Sequence, residues 1–93
     1  MTAITIRFFA QFRELLGERI QLVVPEGTTI TEAVQIVCRE RNEAATALFG
    51  EDGTFREYVI LMQNGIRVNR TEAATTVVAD EDEVAVFPPV AGG

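Results

Sequence analysis

Pro25-Glu26-Gly27-Thr28-Thr29-Ile30-Thr31-Glu32-Ala33-Val34-Gln35-Ile36-Val37-Cys38 is the stretch on which the reading of the fold turns. Pro25-Glu26-Gly27 breaks whatever precedes it. Thr29 is then followed three residues later by Glu32, the spacing at which a hydroxyl and a carboxylate each satisfy an unpaired backbone N–H at a helix start. Ile30, Ala33, Val34, Val37 and Cys38 recur at i, i+3, i+4, i+7 and i+8, the stripe of a helix that lies on a core. Arg39, Arg41 and Asn42 mark its end, the two cations suiting the negative end of the helix dipole. Ala45, Leu48 and Phe49 add one further turn.

Upstream, Ile4, Ile6 and Phe8 alternate with Thr5, Arg7 and Phe9, a period of two that predicts a strand with one buried face and places Phe9 on the other. Ala10 to Leu16 has helical spacing through Phe12, Leu15 and Leu16, with Gly17 ending the turn in a left-handed conformation. Ile20, Leu22 and Val24 alternate again as a second strand. Downstream, Gly50-Glu51-Asp52-Gly53 is a loop, and Phe55 to Gln63 supplies a strand around Val59-Ile60-Leu61-Met62. Asn64-Gly65 marks a type I′ hairpin, since both residues tolerate positive φ, with Ile66 to Val68 as the returning strand. Residues 69–79 read as an irregular crossover, and Val84-Ala85-Val86-Phe87 is a last strand stopped by Pro88-Pro89. The order β-β-α-β-β-β, with one main helix on a mixed sheet of about five strands, is the α+β logic of a β-grasp. Residues 1–89 form that domain and 90–93 a flexible tail.

Composition excludes several functions. The 93 residues carry 14 acids against 8 cations, a formal charge of −6. A nucleic-acid backbone would be repelled unless a basic stripe overcame that field, and the arginines are scattered along the sequence. All eight cations are arginine, so no lysine is present, and histidine is absent too. The commonest general base and metal ligand are thereby missing, and no metal site or catalytic set emerges. Cys38 is the sole cysteine and cannot form an internal disulfide. No basic, then apolar leader opens the chain, and no run approaches the roughly 20 apolar residues that span a bilayer. A cytoplasmic protein that is monomeric when free is expected.

The end, Pro88-Pro89-Val90-Ala91-Gly92-Gly93, combines a stiff exit from the sheet with two residues that lack side chains. Such an end suits threading into a narrow channel, where the terminal carboxylate can meet the α-phosphate of ATP. Phe8-Phe9-Ala10-Gln11, Arg13-Glu14-Leu15, Gly17, Pro25-Glu26-Gly27 and Asp82 to Gly93 together resemble the ubiquitin-like sulfur carrier family of MoaD/ThiS type, represented by the small subunit of molybdopterin synthase. The segments Phe49 to Gly53 and Val59 to Gly65 are more similar to the small archaeal modifier proteins of the same family.

The resemblance implies a ubiquitin-like β-grasp that is not itself an enzyme. It implies activation by an E1-like enzyme that uses ATP and Mg²⁺ to adenylate Gly93, with no cofactor held by the chain. Two outcomes are implied for the family: a thiocarboxylate that gives sulfur to molybdopterin or to tRNA, or an isopeptide bond to a target lysine. Without lysines of its own, this chain could cap a target but not be extended through side chains; a compositional preference for arginine accounts for the absence equally, which is compatible with both outcomes. Residues matching Phe9 and Phe87 contact the large subunit of molybdopterin synthase in the family, and alternation puts both on the sheet face away from the helix. The expected partner surface is Phe9, Arg67, Phe87, Pro88 and Val90, with Gly92 and Gly93 as the reacting end.

Cys38 belongs to the apolar stripe and is expected to pack there with a raised thiol pKa. Asp80-Glu81-Asp82-Glu83 lacks the spacing of a calcium loop and reads as a solvated turn that keeps a sheet edge from pairing. The alternative to carrier chemistry is a ubiquitin-like binding module that never uses its carboxyl end.

Overall fold

A computed structural model describes residues 1–89, so the expected tail, with Val90, Gly92 and Gly93, lies outside the described residues. The elements are β1 (Thr2–Phe8), α1 (Gln11–Leu16), β2 (Arg19–Val24), α2 (Ile30–Cys38), α3 (Asn42–Leu48), β3 (Ile60–Gln63), β4 (Ile66–Val68), α4 (Arg70–Ala73) and β5 (Glu83–Phe87). The five strands form one mixed sheet in the order β2-β1-β5-β3-β4. Among the described residues only β1 and β5 run parallel, with Ile6 opposite Val84 and Phe8 opposite Val86. The α+β β-grasp expected from the sequence is the observed architecture.

Ile4, Ile6 and Phe8 on β1, Val84 and Val86 on β5 and Leu61 on β3 are all buried on one side of this sheet. Ile30, Ala33, Val34 and Cys38 of α2 join the same core. Removing an aliphatic or phenyl side chain of this kind from water is worth about 1.5–3 kcal/mol each. The helix that supplies the other half starts as its spacing predicts. Thr29 Oγ1 accepts from the Glu32 N–H at 3.2 Å, and Glu32 Oε1 accepts from the Thr29 N–H at 3.0 Å. Its C-terminus departs from expectation: α2 stops at Cys38, so Arg39 and Arg41 fall beyond the last turn. Arg41 donates instead to the Leu15 carbonyl of α1 at 3.2 Å.

Four other readings need correction. Gly17 has positive φ as expected, but its φ of 102° and ψ of 160° are extended rather than left-handed helical, a region open essentially to glycine alone. The third strand begins at Ile60 because Phe55 is drawn aside: it pairs with Phe49 across the Gly50–Thr54 turn, ring centroids 4.5 Å apart. The crossover over 69–79 contains a helical turn, α4, started by a second reciprocal cap in which Asn69 Oδ1 accepts from Glu72 N–H and Glu72 Oε1 from Asn69 N–H. Beyond it, Thr76 and Thr28 carbonyls accept from Ile30 and Val78, tying the crossover to the start of α2.

The fourth correction concerns the acidic run, which leads into a central strand and not a sheet edge. Asp80 Oδ1 accepts from the Ala3 N–H at 2.8 Å, and the Glu81 N–H donates to the Ala3 carbonyl at 2.7 Å. Asp82 is buried and accepts from the Ala79 N–H at 2.7 Å, Gln63 Nε2 at 2.9 Å and Asn64 Nδ2 at 2.8 Å. Asn64 Oδ1 in turn accepts from the Glu83 N–H. Asn64 and Gly65 have φ of 51° and 83°, as a type I′ turn requires. One carboxylate therefore locks the β3–β4 hairpin against the start of β5. Burial raises the Asp82 pKa, but the hydrogen bonds from Ala79, Asn64 and Gln63 outweigh it and hold the carboxyl below its usual value.

Asp82→Ala strands three donors and should lower stability by about 3 kcal/mol in denaturant titration. Because the folded pKa lies below the unfolded value of about 3.9, the stabilisation from ionised Asp82 is present above roughly pH 4 and fades as pH falls through the folded value. The variant therefore shows a shallower loss of stability in that acid range than the parent. Burial also pushes the Cys38 thiol up to about 11, against a partial opposing effect of Arg41. An aromatic disulfide reagent at neutral pH should label Cys38 only after denaturation; rapid labelling of the folded chain would contradict the packing.

Candidate functional site

The sheet has a covered face and an open one, and the strand period sorts the expected partner residues between them. Phe8 is fully buried, so Phe9 turns the other way. Its N–H donates to the Val86 carbonyl at 3.2 Å, extending the parallel pairing one residue past β1. Val86 is fully buried, so Phe87 turns outward as well, opposite Ile60 of β3. Alternation thus assigned both rings to the correct face, but it implied two exposed phenylalanines. Both are half-buried, because they cover each other: the centroids are 4.2 Å apart and the planes differ by 9°. A pair of this kind contributes about 0.5–1.5 kcal/mol beyond its buried area.

Arg7 was missed by sequence reading. It lies two residues before Phe9 and therefore on the same face, with its guanidinium 5.0 Å from the Phe9 centroid. An Arg7 nitrogen also sits 3.7 Å from Glu83 Oε1. Both groups are more than a third exposed, so the ion pair serves more to orient Arg7 than to stabilise the fold. The signal was available, since a strand residue two positions from an outward aromatic shares its face.

Arg67 of β4 faces outward too, opposite Met62, which stands opposite Ala85 of β5. It is exposed and three strands from Arg7, so the structure places it on the phenylalanine face but away from the stack. Pro88, half-buried, comes directly after Phe87, and Pro89 is exposed. The open face thus consists of an aromatic stack where the central strands end, a small apolar floor of Ala85 and Met62, and arginines along one row. Cys38 is on the opposite side of the sheet, buried and with its thiol raised to about 11, so no thiolate is presented to this face. Among the described residues no three of His, Cys, Asp or Glu are grouped so as to hold a metal ion, and no helix is long and apolar enough to cross a membrane.

The open face offers a stacked ring pair, a small apolar floor and exposed arginines where β5 leads into Pro88. The chain is 37% identical over 89 residues to small archaeal modifier protein 3 of Haloferax volcanii, covering 95% of this chain and 96% of the relative. It is 31% identical to small archaeal modifier protein 1 of the same organism, over 94% and 97% of the two chains. The crystal structure of SAMP1 from Haloferax volcanii superposes with a TM-score of 0.84 at 26% identity, covering 98% of this chain and 99% of that one. Both relatives are named as modifier proteins, and the profile of the ThiS family matches residues 6–93. The chain belongs to the ThiS family, the ubiquitin-like group of sulfur carriers and small protein modifiers.

Proposed function

We propose that the carboxyl group of Gly93 is the reacting group of this protein and that a separate activating enzyme, using ATP and Mg²⁺, adenylates it. The observation that carries the reading is the reach of the family match, which continues from the sheet through Gly92 to Gly93. A carboxylate oxygen of Gly93 attacks the α-phosphorus of ATP and pyrophosphate leaves. The acyl carbon of the adenylate is then open to a nucleophile, and AMP departs with its oxygen. A sulfur nucleophile leads to a thiocarboxylate, the form of a sulfur carrier for molybdopterin or tRNA. A lysine amine of a target leads instead to an isopeptide bond, with loss of one proton. The names of the relatives favour a modifier, and the family as a whole includes carriers. Both outcomes use the same first step.

In this reading Gly92 and Gly93 supply access, because a chain without Cβ atoms can enter a channel that side chains would block. Docking falls to Phe9, Phe87, Pro88 and Val90, with Arg67 at the rim. β5 supports that role: it is the central strand of the sheet and carries Phe87 directly before Pro88. The large subunit of a molybdopterin synthase and the lysines of target proteins are the later partners. The competing reading, a binding module without carboxyl chemistry, predicts no covalent change at Gly93.

Intact mass spectrometry distinguishes them. After incubation with its cognate activating enzyme, ATP and a sulfur donor, the chain should gain the mass difference of one oxygen replaced by sulfur, or be found joined to a target lysine with the loss of one water. Only unmodified carboxylate, with an enzyme shown to be active, would sink the carrier and modifier readings together. Phe87→Arg should weaken docking to that enzyme roughly thirtyfold, the scale of an aromatic anchor worth about 2 kcal/mol, while the domain still unfolds cooperatively. Unchanged binding would remove Phe87 from the interface.

A further inference from the structure

The register of the sheet aligns residues that are far apart in sequence. Arg19 of β2 stands opposite Arg7 of β1, Arg7 opposite Ala85 of β5, Ala85 opposite Met62 of β3 and Met62 opposite Arg67 of β4. These five residues form one row across the whole open face. Its two ends are arginines on the two edge strands, four strand spacings or about 19 Å apart. Between them lie Arg7 and the apolar pair Ala85 and Met62, beside the Phe9–Phe87 stack.

The charge distribution makes this row unusual for the chain. Three of the eight arginines but only one of the fourteen acids, Glu83, point from the strands to the open face. The strands alone give that face a formal side-chain charge of +2, and Glu81, just before β5, lines a groove of the same face with Ala3, Thr5, Gln21 and Val23. Within it, Arg7 is held by Glu83 and Phe9. Among the described residues neither Arg19 nor Arg67 makes an ion pair, and both are exposed. Two cations remain available for a partner, and they sit where the rim of an interface would be.

We propose that the open face recognises a folded protein surface with an apolar centre and two carboxylate-bearing rims about 19 Å apart, Arg19 and Arg67 each engaging one rim. The proposal rests on the function proposed above, whose activating enzyme is the occupant. A nucleic acid fits less well: its phosphates recur continuously, whereas the two available arginines are separated by Arg7, already paired with Glu83, and by the apolar Ala85 and Met62, and the two phenyl rings stack on each other rather than offering free faces to bases. The strong negative field elsewhere would orient the molecule, so that an acidic partner surface is approached by this face alone.

The test is the association rate of the full chain with its cognate activating enzyme, at about 0.05 M and about 0.5 M salt, where charge interactions are weakly and strongly screened. Arg19→Glu and Arg67→Glu should each slow association roughly tenfold at low salt, with the difference largely gone at high salt. The neutral variants Arg19→Gln and Arg67→Gln should fall between them and the parent. Arg39→Glu makes the same change in net charge beyond the end of α2, away from the open face, and should associate as the parent does. If Arg19→Glu and Arg67→Glu match Arg39→Glu, the row has no recognition role and the inference fails. In that case sulfur transfer to Gly93 and weakening by Phe87→Arg would still uphold the proposed function, so the two failures are separable. Tighter binding of the parent to single-stranded RNA than to the enzyme, lost in Arg19→Glu, would also overturn the inference in favour of a polyanion site.

Discussion

The pairing of β1 with β5 is the constraint on which the rest of this molecule depends. The strands are the first and last among the described residues, they lie side by side in the sheet, and they are parallel. A parallel pair cannot be closed by a tight turn. Everything between them must leave one end of the sheet and return to the other, and the return has to be held in register. That holding is done by a few polar groups at the entry to β5. Asp80 and Glu81 bind the backbone of Ala3, and Asp82 binds the β3–β4 hairpin through Gln63 and Asn64. Buried Ile6, Phe8, Val84 and Val86 then supply the apolar energy that offsets the loop-closure entropy of the arrangement.

The same pairing builds the open face. Because β1 and β5 point the same way, both end at the same edge of the sheet, and the residues just past their buried ends, Phe9 and Phe87, meet as stacked rings. In an antiparallel pair those rings would have been at opposite ends. The described chain leaves the sheet at Pro88, directly beyond this stack. Central placement of β5 also means that the surface is backed by hydrogen bonds on both sides, to β1 and to β3.

Features carried by local spacing were legible in the sequence. Thr29 and Glu32 cap α2, Asn64-Gly65 makes the hairpin, and alternation put Phe9 and Phe87 on the correct face. Asn69 and Glu72 carry the same capping spacing, yet the turn they start is only four residues long and has too little apolar periodicity to announce itself. The role of Asp82 was not legible, because its side-chain partners lie 18 and 19 residues away and nothing in an acidic run identifies the one carboxylate that is buried. The stacking of the two phenylalanines and the arginine row were hidden for a related reason. Both depend on strand order and register, which alternation within a single strand does not encode. Gly92 and Gly93 were singled out from the motif itself, and the family match includes them.

The central claim is that activation depends on Gly93 as the terminal residue while the domain only delivers it. ATP–pyrophosphate exchange by the cognate activating enzyme measures that step directly, before sulfur or any target is involved. The account predicts full exchange with the parent chain, and loss of exchange both when Gly93 is deleted and when one residue is added after it, with unchanged thermal unfolding in both variants. Exchange that persists in the shortened or the extended chain would contradict it.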